Sequence, residues 1–166
     1  MDSMTASQQK EARERLMFGG FAACSGQEID PPSIRSCAPP LPDIRCTING
    51  STYFFELAEV VPPEQAQALA TKGVYTYGVP DPDDKGPKAM EAIIRQKQKK
   101  TYETGGAPVD LLLYFNKDFP MYMSDVTSSE DAPTAIDLAA QDCKQRGPFT
   151  RVWTYCSWTN TAKQLA

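Results

Sequence analysis

The chain has 166 residues, with 17 Lys and Arg against 21 Asp and Glu, a net charge of −4 and no histidine. That length suits one domain with a real core and excludes two ordinary ones, and the acidic balance argues against a protein whose main task is gripping a phosphate backbone. Without histidine the usual general base, the Ser-His and Cys-His nucleophile pairs and the commonest transition-metal ligand are all excluded, which leaves carboxylates, lysine, tyrosine or a hard metal for any catalysis.

The first expected element is a helix over residues 6–18, starting at Ser7 and ended by Gly19-Gly20. Its charges, Lys10, Glu11, Arg13, Glu14 and Arg15, leave no secretory apolar core. No later apolar run approaches the roughly 18–20 residues of a membrane span, so the expectation is a cytoplasmic protein with no membrane partner. Residues 24–42, rich in Pro, Ser and Gly, read as an irregular loop. Residues 1–42 therefore form an N-terminal helix and Pro-rich loop ahead of an α/β core at 43–166, one domain overall.

Asn49-Gly50 marks a two-residue hairpin turn of type I′ between strands at about 43–48 and 51–61. Ile44, Cys46, Ile48, Tyr53, Phe55 and Leu57 take its core face; Asp43, Arg45, Thr47, Thr52, Phe54, Glu56 and Ala58 take the other. Pro62-Pro63 stops the second strand and opens a short helix that ends at Gly73. Residues 74–87 are a loop whose acids Asp81, Asp83 and Asp84 lack the spacing of a calcium loop. The spacing predicts a helix over 88–103 with Met90, Ile94, Lys97 and Thr101 on one stripe. A doubly buried strand follows at 109–115, then a loop at 117–131, a helix at 133–145 and a strand at 149–158. Helices alternating with strands after an opening hairpin make an α/β fold with a mixed sheet.

Pairing Ile48 with Ser51 and counting outward sets Asp43 opposite Glu56. Opposed side chains sit about 4.5–5.5 Å apart at Cβ, and like charges so placed need a proton, cation or metal between them. A divalent metal site is one reading; a turn-proximal Asp and a surface Glu bridged by Arg45 is the other. The cysteines Cys24, Cys37, Cys46, Cys143 and Cys156 are odd in number with no C-x-x-C pair, so they read as small buried hydrophobes.

The element order, with Pro42-Asp43 on the first hairpin strand and Glu56-Leu57-Ala58 on the second, resembles the restriction-endonuclease-like superfamily and its P-D…[D/E]-x-K motif. The likeness runs from about Pro42 to Phe115 and departs from the motif at Ala58, which sits where the lysine belongs. It implies that Asp43 and Glu56 hold Mg²⁺, with Mn²⁺ as a substitute, and that a lysine helps to activate the attacking water. Three residues could complete such a site: Lys97 from its helix, Glu59 if a bulge after Leu57 swings it onto the acid face, and Glu14 as a helical third metal ligand. Arg95, Lys99 and Lys100 would contact phosphate if the helix flanks the acids; otherwise they form a solvated helix end. Lys144, Arg146 and Arg151 make a second, looser basic group, and Trp153, Tyr155 and Trp158 read as core and interface aromatics.

The resulting expectation is a metal-dependent nuclease acting on DNA or RNA. The alternative is a nuclease-fold protein that has lost catalysis and binds a protein partner, neutralises a basic toxin or dimerises through its aromatic C-terminal strand.

Overall fold

The computed structural model of the protein describes residues 4–60, 85–115 and 134–166. Among them, helix α1 (Ala6–Cys24) precedes strands β1 (Arg35–Ser36), β2 (Ile44–Ile48) and β3 (Ser51–Glu59). Helix α2 (Lys85–Lys97), strand β4 (Val109–Phe115), helix α3 (Ala135–Arg146) and strands β5 (Arg151–Cys156) and β6 (Thr161–Gln164) follow. The strands form one six-stranded sheet in chain order. β1, β2 and β3 pair antiparallel, β3, β4 and β5 parallel, and β6 closes the edge antiparallel to β5. This is the expected α/β fold with a mixed sheet. No helix of the described residues is long and apolar enough to cross a membrane.

The hairpin follows the register its turn dictates. Asn49 and Gly50 both have positive φ, 49° and 79°, as a type I′ turn requires. Ile48 pairs with Ser51, Thr47 with Thr52, Cys46 with Tyr53, Arg45 with Phe54 and Ile44 with Phe55. Because side chains alternate, that register sends Ile44, Cys46, Ile48, Phe55 and Leu57 to one core with Phe18 and Phe21 of α1. The opposite core joins Phe54 to Met90 and Ile94 of α2 and to Ile136, Ala139 and Cys143 of α3. Two successive parallel connections of one hand place both helices on the same face. β4, covered on both sides, is buried along its whole length.

Several boundaries depart from expectation. α1 starts from a capping box at Thr5 and Gln8 rather than at Ser7, and it runs through Gly19-Gly20 to Cys24 because Phe18 and Phe21, fully buried, tie the last turns to the sheet. Full burial of such a side chain contributes about 1.5–3 kcal/mol, more than the roughly 1 kcal/mol that a helical glycine costs. Gly20 has a packing reason: a Cβ there would lie 2.0 Å from the Tyr155 hydroxyl. The Pro-rich stretch also contributes the 3₁₀ turn Pro31–Ser33 and edge strand β1. α2 ends at Lys97, not 103. The C-terminal segment holds two strands instead of one: β5 is an interior strand with Trp153 and Tyr155 buried, while Trp158 lies in the turn before β6, 56% exposed. β5 therefore cannot serve as a dimerising edge. The expected helix ending at Gly73, the acids Asp81, Asp83 and Asp84, and the loop at 117–131 lie outside the described residues.

Cys46, Cys143 and Cys156 are buried and Cys24 and Cys37 partly so, all as free thiols. Below the α1 face, Asp110, fully buried, accepts hydrogen bonds from Arg151 Nε at 2.8 Å and Trp153 Nε1 at 3.0 Å. Arg151 also bonds Gln27 through Nη1 at 2.7 Å, so this ion pair fastens the starts of β4 and β5 to the chain leaving α1.

Candidate functional site

β2 begins at Ile44, one residue after Asp43. The Asp43 backbone carbonyl accepts from Cys37 N at 2.8 Å, and its side chain turns inward, where Oδ2 accepts from Leu57 N at 2.9 Å. The carboxylate thus takes a donor of β3 just beyond the last ladder pair. Its neighbour Glu56 is 3% exposed and projects on the face shared by Phe54 and Ala58, toward α2. The two acids meet at the open end of the hairpin, just beyond the Ile44–Phe55 pair.

Lys97, the last residue of α2, meets Glu56 Oε1 at 2.5 Å, and Lys100 reaches the same oxygen at 2.8 Å. The sequence of α2 explains this delivery. Met90 and Ile94 are buried in the core, and one turn further the same stripe carries Lys97, whose side chain is only 17% exposed. The bond from Lys100 N to Lys97 O, 3.0 Å, folds the chain back after the helix and keeps both ammonium groups on one side. Gln98 Nε2 donates to Asp142 Oδ2 at 3.1 Å, which pins this corner to α3.

On the other side of Asp43, Lys10 Nζ sits 3.1 Å from Glu14 Oε1 and 3.8 Å from Asp43 Oδ1. Glu14 is buried beneath α1, 7% exposed. Three acids therefore face three lysines, and lysines rather than Arg45 meet Asp43 and Glu56. An open pocket of about 410 Å³ is lined by Lys10, Asp43, Glu56, Lys97 and Lys100, with Pro39, Pro40, Leu41 and Tyr102 forming its less polar wall. The Tyr102 hydroxyl is buried beside Glu56.

The electrostatics follow this layout. Burial and then the Glu56 charge push the Asp43 carboxyl above its ordinary value. Burial works the same way on Glu56, but hydrogen bonds from Lys100 and Lys97 outweigh it and hold the group below the usual range. Burial and then the Asp43 charge raise Glu14. Burial disfavours the Lys10 ammonium, yet the Glu14 and Asp43 carboxylates more than offset that and raise its pKa. Burial and then the Glu56 charge push the Tyr102 phenol up.

Of the residues singled out in the sequence, Asp43, Glu56, Lys97 and Lys100 come together around one pocket, with Glu14 behind Lys10. Glu59 does not join them: β3 keeps its alternation, and Glu59 lies on the α1 face in an ion pair with Arg13 at 3.2 Å. Arg95 pairs with Glu91 of its own helix at 3.0 Å, and Lys99 is exposed outside the pocket lining. Ala58 packs against the α2 and α3 core. Two site residues escaped the sequence reading. Lys10 was marked only by its i, i+4 spacing to Glu14; Tyr102 had no signal, since a helix continued to 103 would have carried it elsewhere.

The donor set suits a hard cation in part. Two carboxylates beside an open pocket are what Mg²⁺ asks of a protein, the rest of its octahedron being water and substrate oxygen. Among the described residues, no group of three or more acids or cysteines is spaced to hold a metal, so Glu14 does not complete a triad in this arrangement. Comparison of the chain with protein-family models, curated proteins and solved structures found no match in any of the three.

Proposed function

We propose that the protein is a metal-dependent phosphodiesterase of nuclease type, built on the plan of the restriction-endonuclease-like superfamily. The observation that carries this reading is the placement of Lys97: its ammonium bonds Glu56 at the floor of the pocket that also exposes Asp43. A helix here delivers the lysine that the strand lacks at Ala58. Asp43 and Glu56 would hold Mg²⁺ or Mn²⁺, which when bound supplies an activated water and stabilises charge on the scissile phosphate without histidine. Lys97 fixes the Glu56 carboxylate and keeps a proton donor beside the pocket floor. Lys100 and Lys10, at the pocket wall, draw the phosphate of a DNA or RNA strand into a site whose acids would otherwise repel it.

A titration of Mg²⁺ and Mn²⁺ by calorimetry on wild type, Asp43→Asn and Glu56→Gln, with plasmid nicking assayed on the same samples, tests this. Binding and nicking in wild type that both vanish in the variants is the expected result. Binding without nicking points to a relic of the fold, and absence of binding rejects the metal site.

A second reading, a nuclease-fold protein without catalysis that binds a partner, is favoured by one feature. Glu56 Oε1 is already engaged by two lysines, which balance it as a metal would. In that case the net acidic surface is the functional part and a basic protein or toxin the partner.

A further inference from the structure

We propose that Lys10 is a built-in counter-cation of the acid site: its ammonium stands between Glu14 and Asp43, beside the Asp43 carboxylate that a divalent ion shared with Glu56 would take, and it withdraws to the pocket mouth when one enters. The inference rests on the metal-site reading above and names how that site is regulated. Carboxylates from two separate elements, Glu14 of α1 and Asp43 at the start of β2, converge on this one cation, at 3.1 and 3.8 Å. Like charges brought together in this way are destabilising unless a cation intervenes.

Lys10 is also the most easily displaced of the three lysines. Its side chain is 68% exposed, against 48% for Lys100 and 17% for Lys97. Its distance to Asp43 Oδ1, 3.8 Å, exceeds a hydrogen bond, whereas Lys97 and Lys100 both bond Glu56 directly. Asp43 Oδ1 is therefore an open oxygen of the site, and Lys10 is what guards it. A long solvated stem lets the ammonium move by rotamer change without disturbing α1. Since Lys10 lines the pocket, the displaced group remains beside the space an anion would occupy.

The test uses the intact chain and Mn²⁺ alone as probe. Lys10→Met removes the charge while keeping the stem, and Lys10→Arg keeps the charge; circular dichroism checks that each is folded. Calorimetric titration should show Lys10→Met binding Mn²⁺ about fivefold more tightly than wild type, and Lys10→Arg close to wild type. The gain should vanish when Asp43→Asn is added. Lys10→Met should also melt lower than wild type without metal and recover with Mn²⁺. Binding by Lys10→Met that is unchanged or weaker than wild type overturns the counter-cation role and leaves the metal site standing. If neither wild type nor Lys10→Met binds Mn²⁺, the metal reading itself falls and this role with it.

Discussion

Glu56 is 3% exposed, and two lysines share its charge, so their removal should be strongly non-additive. Lys97→Met takes away the more buried partner but leaves Lys100 on the same oxygen, and the expected loss is about 2 kcal/mol, below the ~3–5 kcal/mol of a fully broken buried pair. Lys100 is half exposed, so solvent screens its contribution and Lys100→Met should lose only ~0.5 kcal/mol. Only the double variant leaves the carboxylate buried without a cation, and it should lose about 4 kcal/mol, well above the sum of the two. Urea unfolding at pH 7, followed by tryptophan fluorescence, measures all three. The pH dependence adds a sign. In wild type the Glu56 pKa lies below its ordinary 4.5, so its contribution is present above that value and lost as pH falls through the folded pKa. In the double variant burial acts unopposed and raises the pKa, so stability should instead fall as pH rises through the new value. A double variant that loses no more than the sum of its parents, with an unreversed pH trend, would refute the shared-charge account.

Neighbouring glycines of α1 should respond in opposite directions. Gly19→Ala meets nothing within 4 Å and should raise stability by up to ~1 kcal/mol, while Gly20→Ala drives its Cβ into the buried Tyr155 ring and should cost ~1–3 kcal/mol; thermal melts of the pair decide it. Arg151→Met leaves Asp110, fully buried, without its guanidinium partner and should cost about 3–5 kcal/mol in urea unfolding, whereas a loss under ~1 kcal/mol would mean the pair is not stabilising. Carboxyl NMR titration should find Glu56 below 4.5 and Asp43 above 3.8. Because the Glu56 charge is one cause of the Asp43 shift, Glu56→Gln should bring Asp43 back toward its ordinary value; no movement would separate the two groups.

The hairpin was legible because one dipeptide fixes it. Asn49-Gly50 sets the turn, the turn sets the register, and the register places every apolar residue from Ile44 to Leu57 on a face. The run at 109–115, apolar at every position but Asp110, was equally plain, since a strand covered on both sides carries apolar residues on both faces. What failed was local punctuation overruled by tertiary contact. Gly19-Gly20 reads as a helix stop, yet Phe18 and Phe21 hold the helix across it. β1 has two residues and no hydrophobic period, so nothing in its sequence distinguishes it from the surrounding loop. β6 carries Thr161, Ala162, Lys163 and Gln164 on an edge where half-exposed polar residues suffice, and the turn at Trp158 carries no glycine or proline to announce it. The same division holds in the site: Asp43 and Glu56 come from one hairpin and could be paired by counting, while Lys10, Lys97, Lys100 and Tyr102 arrive from elements whose positions depend on the whole core.

Ala58 is small for a physical reason that the packing around it supplies. It lies two residues beyond Glu56 on the same face and packs against the cluster that contains Ile94, one turn before Lys97. A lysine at 58 would have to carry its stem through the apolar contact that seats α2 on the sheet. The small side chain instead lets the helix pack, and the packed helix sets its own terminal lysine on Glu56. An acid buried this deeply needs a cation from somewhere, and the helix end, where the backbone dipole already favours positive charge, is a low-cost place to hold one. The small Ala58 and the inward Lys97 are thus one arrangement, in which one of the two charges that keep Glu56 ionised comes from the element that closes the core above it and the other, Lys100, from the chain just beyond that element.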